Sequence, residues 1–249
     1  MGDAVVGAVL RAAREQAGVS PAQAAACAGL RESRITRLEA AQVRWAREHA
    51  VALARWYGMP DREVEELRHL LVARHQHAVP DYGTISGPRL GALEARAVRI
   101  RVATQTVPPF VWGWASPEAA GVSAGGSRPW PGCPVTLIWD DLTLDRGYMD
   151  APRTAARLRH LAALVDAEVL SFRLLIPDYD VSFEPVGSEL TFADRPALCV
   201  SEELSLVVYS NGPRAREKSA LLDRQLAAAL SPQESLAALR RAAERWSCR

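Results

Sequence analysis

Gly18-Val19-Ser20-Pro21-Ala22-Gln23-Ala24-Ala25-Ala26-Cys27-Ala28-Gly29-Leu30-Arg31-Glu32-Ser33-Arg34-Ile35-Thr36-Arg37-Leu38-Glu39 is the stretch that decides the fold of the first part of the chain. Ser20 with Gln23 three residues on reads as a capping box, in which each side chain satisfies the other residue's backbone N–H. Pro21 follows at the first helical position, where a missing N–H costs nothing. Gly29-Leu30 is the turn that ends this short helix. A further helix then runs from about Glu32 to Ala41, with Ile35 and Leu38 at buried spacing. The spacing predicts a helix on the N-terminal side as well: Val5, Val6, Val9, Leu10 and Ala13 recur at helical intervals, and Gly18 closes the run. On the C-terminal side a fourth helix covers about Ala46 to Tyr57. Gly58-Met59-Pro60 breaks it, and Asp61 caps a fifth reaching about His75.

With these flanks, residues 7–44 resemble the xenobiotic-response-element branch of the Cro/C1-type helix-turn-helix family. The matching residues are Gly7, Leu10, Arg11, Arg14, Glu15, Ala17, Gly18, Val19, Ser20, Gln23, Ala24, Ala25, Gly29, Ser33, Ile35, Thr36, Arg37, Leu38 and Glu39. The resemblance implies that the third helix enters the DNA major groove. Its outward side chains would be Arg31, Glu32, Ser33, Arg34, Thr36 and Arg37, with arginines able to read guanine by bidentate contacts. Gln23, Arg44 and Arg47 would hold phosphates and set register. The sequence departs from the family pattern in three places. Pro21 stands where a glutamine usually opens the second helix. Arg31 and Glu32 replace a hydroxyl cap and a polar opener. Ala40-Ala41-Gln42-Val43-Arg44-Trp45 replaces a loop that usually carries Gly and Pro.

The 249 residues are enough for two ordinary domains. Hydrophobic residues make up 49%, which supports a full core, and the net charge of +1 is uninformative, since a regulator whose basic patch sits on one small module can be neutral overall. Lys218 is the single lysine among the 30 basic residues. Cys27, Cys133, Cys199 and Cys248 are scattered without a C-x-x-C pair, which fits a reducing compartment. No basic start followed by an apolar run is present, and no apolar stretch approaches about 18 residues. A cytoplasmic protein with no membrane partner is therefore expected.

Val79 to Pro88 is polar, aperiodic and rich in Gly and Pro, so the expected organisation is a helix-turn-helix domain at 1–78, a linker at 79–89 and a mixed α/β domain at 90–249. Leu90–Thr104 reads as a helix on the spacing of Leu93, Ala97 and Ile100. Thr106–Pro134 reads as loop, with at most one short helix near Glu118. Strands are expected at Val135–Asp140, Ser171–Ile176, Ser188–Phe192, Leu198–Glu202 and Leu204–Ser210. They make a sheet of roughly five strands. An amphipathic helix from Arg153 to Ala167 lies among them. Two helices close the chain, at about Arg214–Ala229 and Pro232–Trp246. The second has its own capping box at Ser231 and Glu234.

This second part resembles the effector-type domain, of unknown function, that follows such helix-turn-helix modules in regulators of filamentous soil bacteria. The resemblance rests on Leu93-Glu94-Ala95, Ala97, Ile100-Arg101, Trp139-Asp140-Asp141, Leu158-Arg159-His160-Leu161, Val207-Val208-Tyr209 and Ala228-Ala229-Leu230-Ser231-Pro232, with Glu234-Ser235. It implies a regulator. Val107-Pro108-Pro109-Phe110-Val111-Trp112-Gly113-Trp114-Ala115 departs from the small and polar residues usual after the first helix. Phe110, Trp112, Trp114, Trp139 and Tyr209 are either ordinary core or the walls of a pocket for a small apolar or aromatic ligand.

Two functional readings follow. One is a dimeric transcriptional regulator on double-stranded DNA whose C-terminal domain senses a small molecule or a partner protein. The other is a regulator-like scaffold recruited as a cofactor-independent cyclase or isomerase of natural-product biosynthesis, with Asp140 or Asp141 as acid or base. Strand-end acids of this kind more often cap the next turn. His69, His75 and His77 match no strong zinc spacing, so no metal is expected. Phosphate-loop, dinucleotide and nucleophile-elbow motifs are missing from the sequence, and no cofactor is expected.

Overall fold

The computed structural model describes residues 2–72, 78–81, 86–106, 108–112, 130–146, 150–177, 180–194, 196–203 and 206–249. The chain divides into two compact units. The first comprises Met1–Ala97 with Thr191–Ala215, and the second Val98–Leu190 with Arg216–Arg249.

The first unit begins with five helices: α1 (Gly2–Gln16), α2 (Pro21–Ala28), α3 (Glu32–Glu39), α4 (Arg47–Trp56) and α5 (Asp61–Val72). Val5, Val6, Leu10, Ile35, Leu38, Leu53 and Leu71 fill its core at near-zero exposure. Gly18 and Gly58 end α1 and α4 in the left-handed region. β1 (Ala78–Asp81) and α6 (Ser86–Glu94) come next. The stretch read as linker therefore contains a strand and the start of a helix. β1 pairs antiparallel with β7 (Leu206–Ser210), Val79 opposite Tyr209, and β7 pairs antiparallel with β6 (Leu198–Glu203), Tyr209 opposite Val200. Pro80 cannot donate to a ladder, and among the described residues β1 is an edge strand, where such a residue is tolerated.

Arg89 of α6 locks this addition in place. Its guanidinium donates to both Asp81 oxygens, at 2.8 and 2.5 Å, and to Glu66 of α5 at 2.7 Å. Burial works against the charge of Arg89, but the two carboxylates hold its pKa above the ordinary arginine value.

In the second unit β2 (Arg99–Ala103), β3 (Val135–Asp140) and β4 (Leu170–Leu175) run parallel, with Ile100 opposite Val135 and Val135 opposite Leu170. β5 (Gly187–Thr191) flanks β2. α7 (Pro109–Trp112) and α8 (Asp141–Asp145) are short, and α9 (Ala151–Asp166) makes the crossover from β3 to β4. α10 (Gly212–Ala228) and α11 (Pro232–Ser247) end the chain, and α11 packs on α9 and β4. Ala103, Ile138, Leu175, Val186, Leu222 and Ala229 form one apolar cluster. The mixed α/β class holds, but the described residues contain seven strands, not about five. Ala78–Asp81 and Arg99–Ala103 are the additions. The second lies in the stretch expected to be helical up to Thr104.

The reason is chemical. Arg99 and Arg101 gave β2 a polar look, yet Arg101 is buried. Its guanidinium donates to Glu189 of β5 at 2.6 Å and to Asp223 of α10. Burial alone would lower its pKa, and the two carboxylates raise it. Burial likewise opposes ionisation of Glu189, yet hydrogen bonds from Arg101 and Ser219 hold its carboxyl below the usual range. A carboxyl with a lowered native pKa stabilises the fold above its unfolded value and loses that contribution as pH falls through the native one. Chemical denaturation should therefore show stability falling below about pH 4. The Glu189→Gln protein should be less stable at pH 7, by about 3 kcal/mol, because Arg101 loses its buried partner. Its stability should also change less between pH 5 and pH 3.

Candidate nucleic-acid interface

The interface is built from α2, its turn and α3. Ser20 Oγ accepts from the Gln23 backbone N–H at 3.2 Å, and Gln23 Oε1 accepts from the Ser20 N–H at 2.8 Å. The box uses the carbonyl end of the Gln23 amide, so its NH2 donors are not part of it. Gly29 ends α2 at φ 64°, and Leu30 N–H returns to the Ala25 carbonyl at 2.9 Å, closing a Schellman-type turn. This turn sets the direction in which α3 starts.

α3 divides into two faces. Ile35 and Leu38 are buried, while Arg31, Glu32, Ser33, Arg34, Thr36 and Arg37 are all exposed. The residues read from the sequence as base-facing thus share the outer face of one helix, and Gln23 and Arg44 are exposed as well. Thr36 Oγ1 donates back to the Glu32 carbonyl at 3.3 Å, which leaves its methyl group for apolar contact. Arg31 caps α3 by backbone alone. Glu32 stands in the first turn, where its charge favours the helix. Arg44 lies on the rim of a cavity of about 340 Å³ lined also by Asp3, Gln42, Phe192, Leu198 and Asn211.

The inner side of α3 is held by charge. Arg14 of α1 donates to Glu39 through Nε at 2.7 Å and Nη2 at 2.9 Å, and through Nη1 to the Val19 carbonyl at 2.9 Å. Both side chains are buried, and the hydrogen bond to Glu39 raises the Arg14 pKa. Nearby, burial and the Glu39 charge push the Tyr57 hydroxyl well above its ordinary value. α1 meets the end of α3 closely: a Cβ at Gly7 would stand 2.7 Å from the Glu39 carbonyl oxygen and 2.8 Å from that of Leu38. After α3, Ala41 adopts φ 56°, a left-handed conformation disfavoured for a residue with a Cβ. The Asp3 carboxylate then accepts from the Trp45 N–H at 2.9 Å and pins the start of the next segment.

The other sequence-predicted residues fall on other elements. Phe110 is buried edge-on against Trp130 at 5.8 Å, and Trp139 is buried edge-on against Phe172 at 5.7 Å. Tyr209 is buried in β7, which belongs to the first unit. The Trp112 side chain and all of Trp114 lie outside the described residues, as do Glu118, His75 and His77. Asp140 is buried and caps α8, accepting from the Thr143 N–H at 3.0 Å and from the Thr143 hydroxyl. Asp141 stands in the first turn of that helix. Arg96, which donates to the Glu39 carbonyl, carried no local sequence signal at all.

A family model agrees with this geometry over the helical segment. Residues 5–67 match the family model of a helix-turn-helix domain. Such a domain points to a DNA-binding regulator. The chain matches no curated protein and no solved structure. Among the described residues no helix is long and apolar enough to cross a membrane.

The end of α3 should respond to two substitutions in opposite directions. Ala41→Gly removes a Cβ from a left-handed position and should raise stability by about 1 kcal/mol. Gly7→Ala forces α1 away from the Glu39 carbonyl and should lower it. Urea denaturation of both variants beside the parent protein measures the two shifts.

Proposed function

We propose that this protein is a transcriptional regulator that binds a palindromic operator as a dimer, with α3 in the major groove. The observation that carries the reading is the division of α3: Ile35 and Leu38 are sealed inside, and three arginines, Arg31, Arg34 and Arg37, stand outside with Ser33 and Thr36. Arginine offers a planar fork for guanine O6 and N7. The Thr36 methyl fits the methyl of thymine. Gln23, Arg44 and Arg47 are exposed on adjoining segments, where phosphate contacts would fix register.

The domain fits the Cro/C1, xenobiotic-response-element type on the residues that build its frame: Gly7 at the α1–α3 approach, Arg14 and Glu39 as buried pair, Ser20 and Gln23 as capping box, and Gly29 at the turn. Within this reading the C-terminal part senses a small molecule or a partner protein, and the protein works in the cytoplasm.

The test is fluorescence anisotropy with the chain's own upstream DNA and a scrambled duplex, at low and physiological salt. The parent protein should prefer its own upstream sequence, with an affinity that falls as salt rises. Arg34→Ala and Arg37→Ala should each lose about 1–3 kcal/mol on the specific duplex. Equal binding of the double variant and the parent to that duplex would sink the docking of α3.

A further inference from the structure

An α-helix leaves its last four carbonyls without helical partners. At the end of α3 three of them are met by the backbone that follows. Ala40 N–H returns to Thr36, Ala41 N–H to Leu38 and Gln42 N–H to Arg37, at 3.0, 3.0 and 2.9 Å. The fourth, the carbonyl of Glu39, accepts a hydrogen bond from Nη1 of Arg96, 57 residues further along the chain. A cation at this end also complements the negative pole of the helix.

The arrangement is anchored from both ends. Arg96 lies in the turn that follows α6, where its N–H returns to the Leu93 carbonyl at 3.0 Å. α6 lies along α1 and is tied to α5 and β1 through Arg89. The Arg96 side chain is only 15% exposed, with the Asp194 carboxylate 3.9 Å away. Burial and the charge of Arg11 both weigh against its own charge, so the contact is made at a desolvation cost that a casual surface hydrogen bond does not carry. At the same Glu39 carbonyl, Gly7 brings in the α1 backbone.

We infer that Arg96 is a positioning residue for DNA recognition: it sets the placement of α3 through the Glu39 carbonyl without touching DNA. The inference rests on the regulator reading above. A bidentate arginine–guanine contact tolerates only tenths of an ångström in its hydrogen-bond lengths. A helix released at its C-terminal end therefore loses base contacts before it loses phosphate contacts.

The experiment compares the parent, Arg96→Ala and Arg96→Lys as full chains, on the own-upstream and scrambled duplexes across a salt series. Arg96→Ala should lose about tenfold on the specific duplex, the scale of one bidentate contact. It should lose little on the scrambled duplex, and the slope of log affinity against log salt should not change. Arg96→Lys keeps one donor for the carbonyl and should recover part of the loss. A drop on both duplexes with a slope shallower by about 1 would make Arg96 a phosphate ligand and overturn the inference. So would unchanged specific binding.

Hydrogen exchange of the free proteins gives a readout that does not need DNA. The amides of Ala40, Ala41 and Gln42 should exchange faster in Arg96→Ala, while the α1 core amides keep their protection. If the parent binds neither duplex, the regulator reading fails on its own and the exchange data decide the positioning role. Unchanged protection at those three amides overturns it.

Discussion

The buried pair of Arg14 and Glu39 is the contact on which the helical unit depends. Taking two charges out of water is expensive, and their attraction repays the cost only when the geometry is good and the remaining donors are satisfied. Here the guanidinium meets the carboxylate with two parallel hydrogen bonds and gives a third to the Val19 carbonyl. The third bond matters as much as the first two. Val19 lies in the turn before α2, so one side chain of α1 fixes the entry to α2 and the exit of α3 together. Apolar residues in these positions could bury as much area, but they would accept a range of crossing angles. The fork accepts one.

The same logic explains why the compact unit does not stop with α5. The helices alone would leave Glu66 of α5 and the Glu39 carbonyl at the end of α3 to water. Arg89 and Arg96, both on or just after α6, meet these two groups. Arg89 in turn fixes Asp81 of β1, and β1 aligns with β7 and β6. β1, α6 and the β6–β7 pair are therefore structurally part of the frame around α3, and their ion pairs and strand ladder are each other's condition.

What could be read from the sequence was what is local. Both capping boxes lie within four residues, and Ser20 with Gln23 and Ser231 with Glu234 form as their spacing dictates. The two faces of α3 follow from a 3.6-residue period. The strands β3, β4, β6 and β7 announce themselves by their apolar residues, whereas β5 carries only Leu190. β1 and β2 do not. Pro80 and the neighbouring glycines mimic a linker, and the arginines of β2 look like a helix surface. Each makes sense only with a partner far along the chain: Tyr209 for Val79, Glu189 and Asp223 for Arg101. Arg96 is the extreme case, since its acceptor is a backbone carbonyl that has no sequence signature. The aromatic residues show the same limit from the other side. Phe110 and Trp139 were visible as large apolar groups, but only the fold shows that Trp130 and Phe172 are set against them.

The arginines of the chain fall into two groups. Arg14, Arg89, Arg96 and Arg101 are turned inward, and each meets a carboxylate or a carbonyl that the fold presents to it. Arg31, Arg34, Arg37 and Arg44 are left on the outside. The net charge of +1 sums 30 basic and 29 acidic residues over the whole chain. The outer face of α3 does not experience that sum, because charges more than about 10 Å away are largely screened and the Glu39 carboxylate is buried against Arg14. The guanidinium suits both tasks for one reason: its planar fork forms two aligned hydrogen bonds to any pair of acceptors at the right spacing, whether carboxylate oxygens or a guanine edge. The inner arginines thus hold fixed the helix that carries the outer ones, and the first task is the precondition for the second.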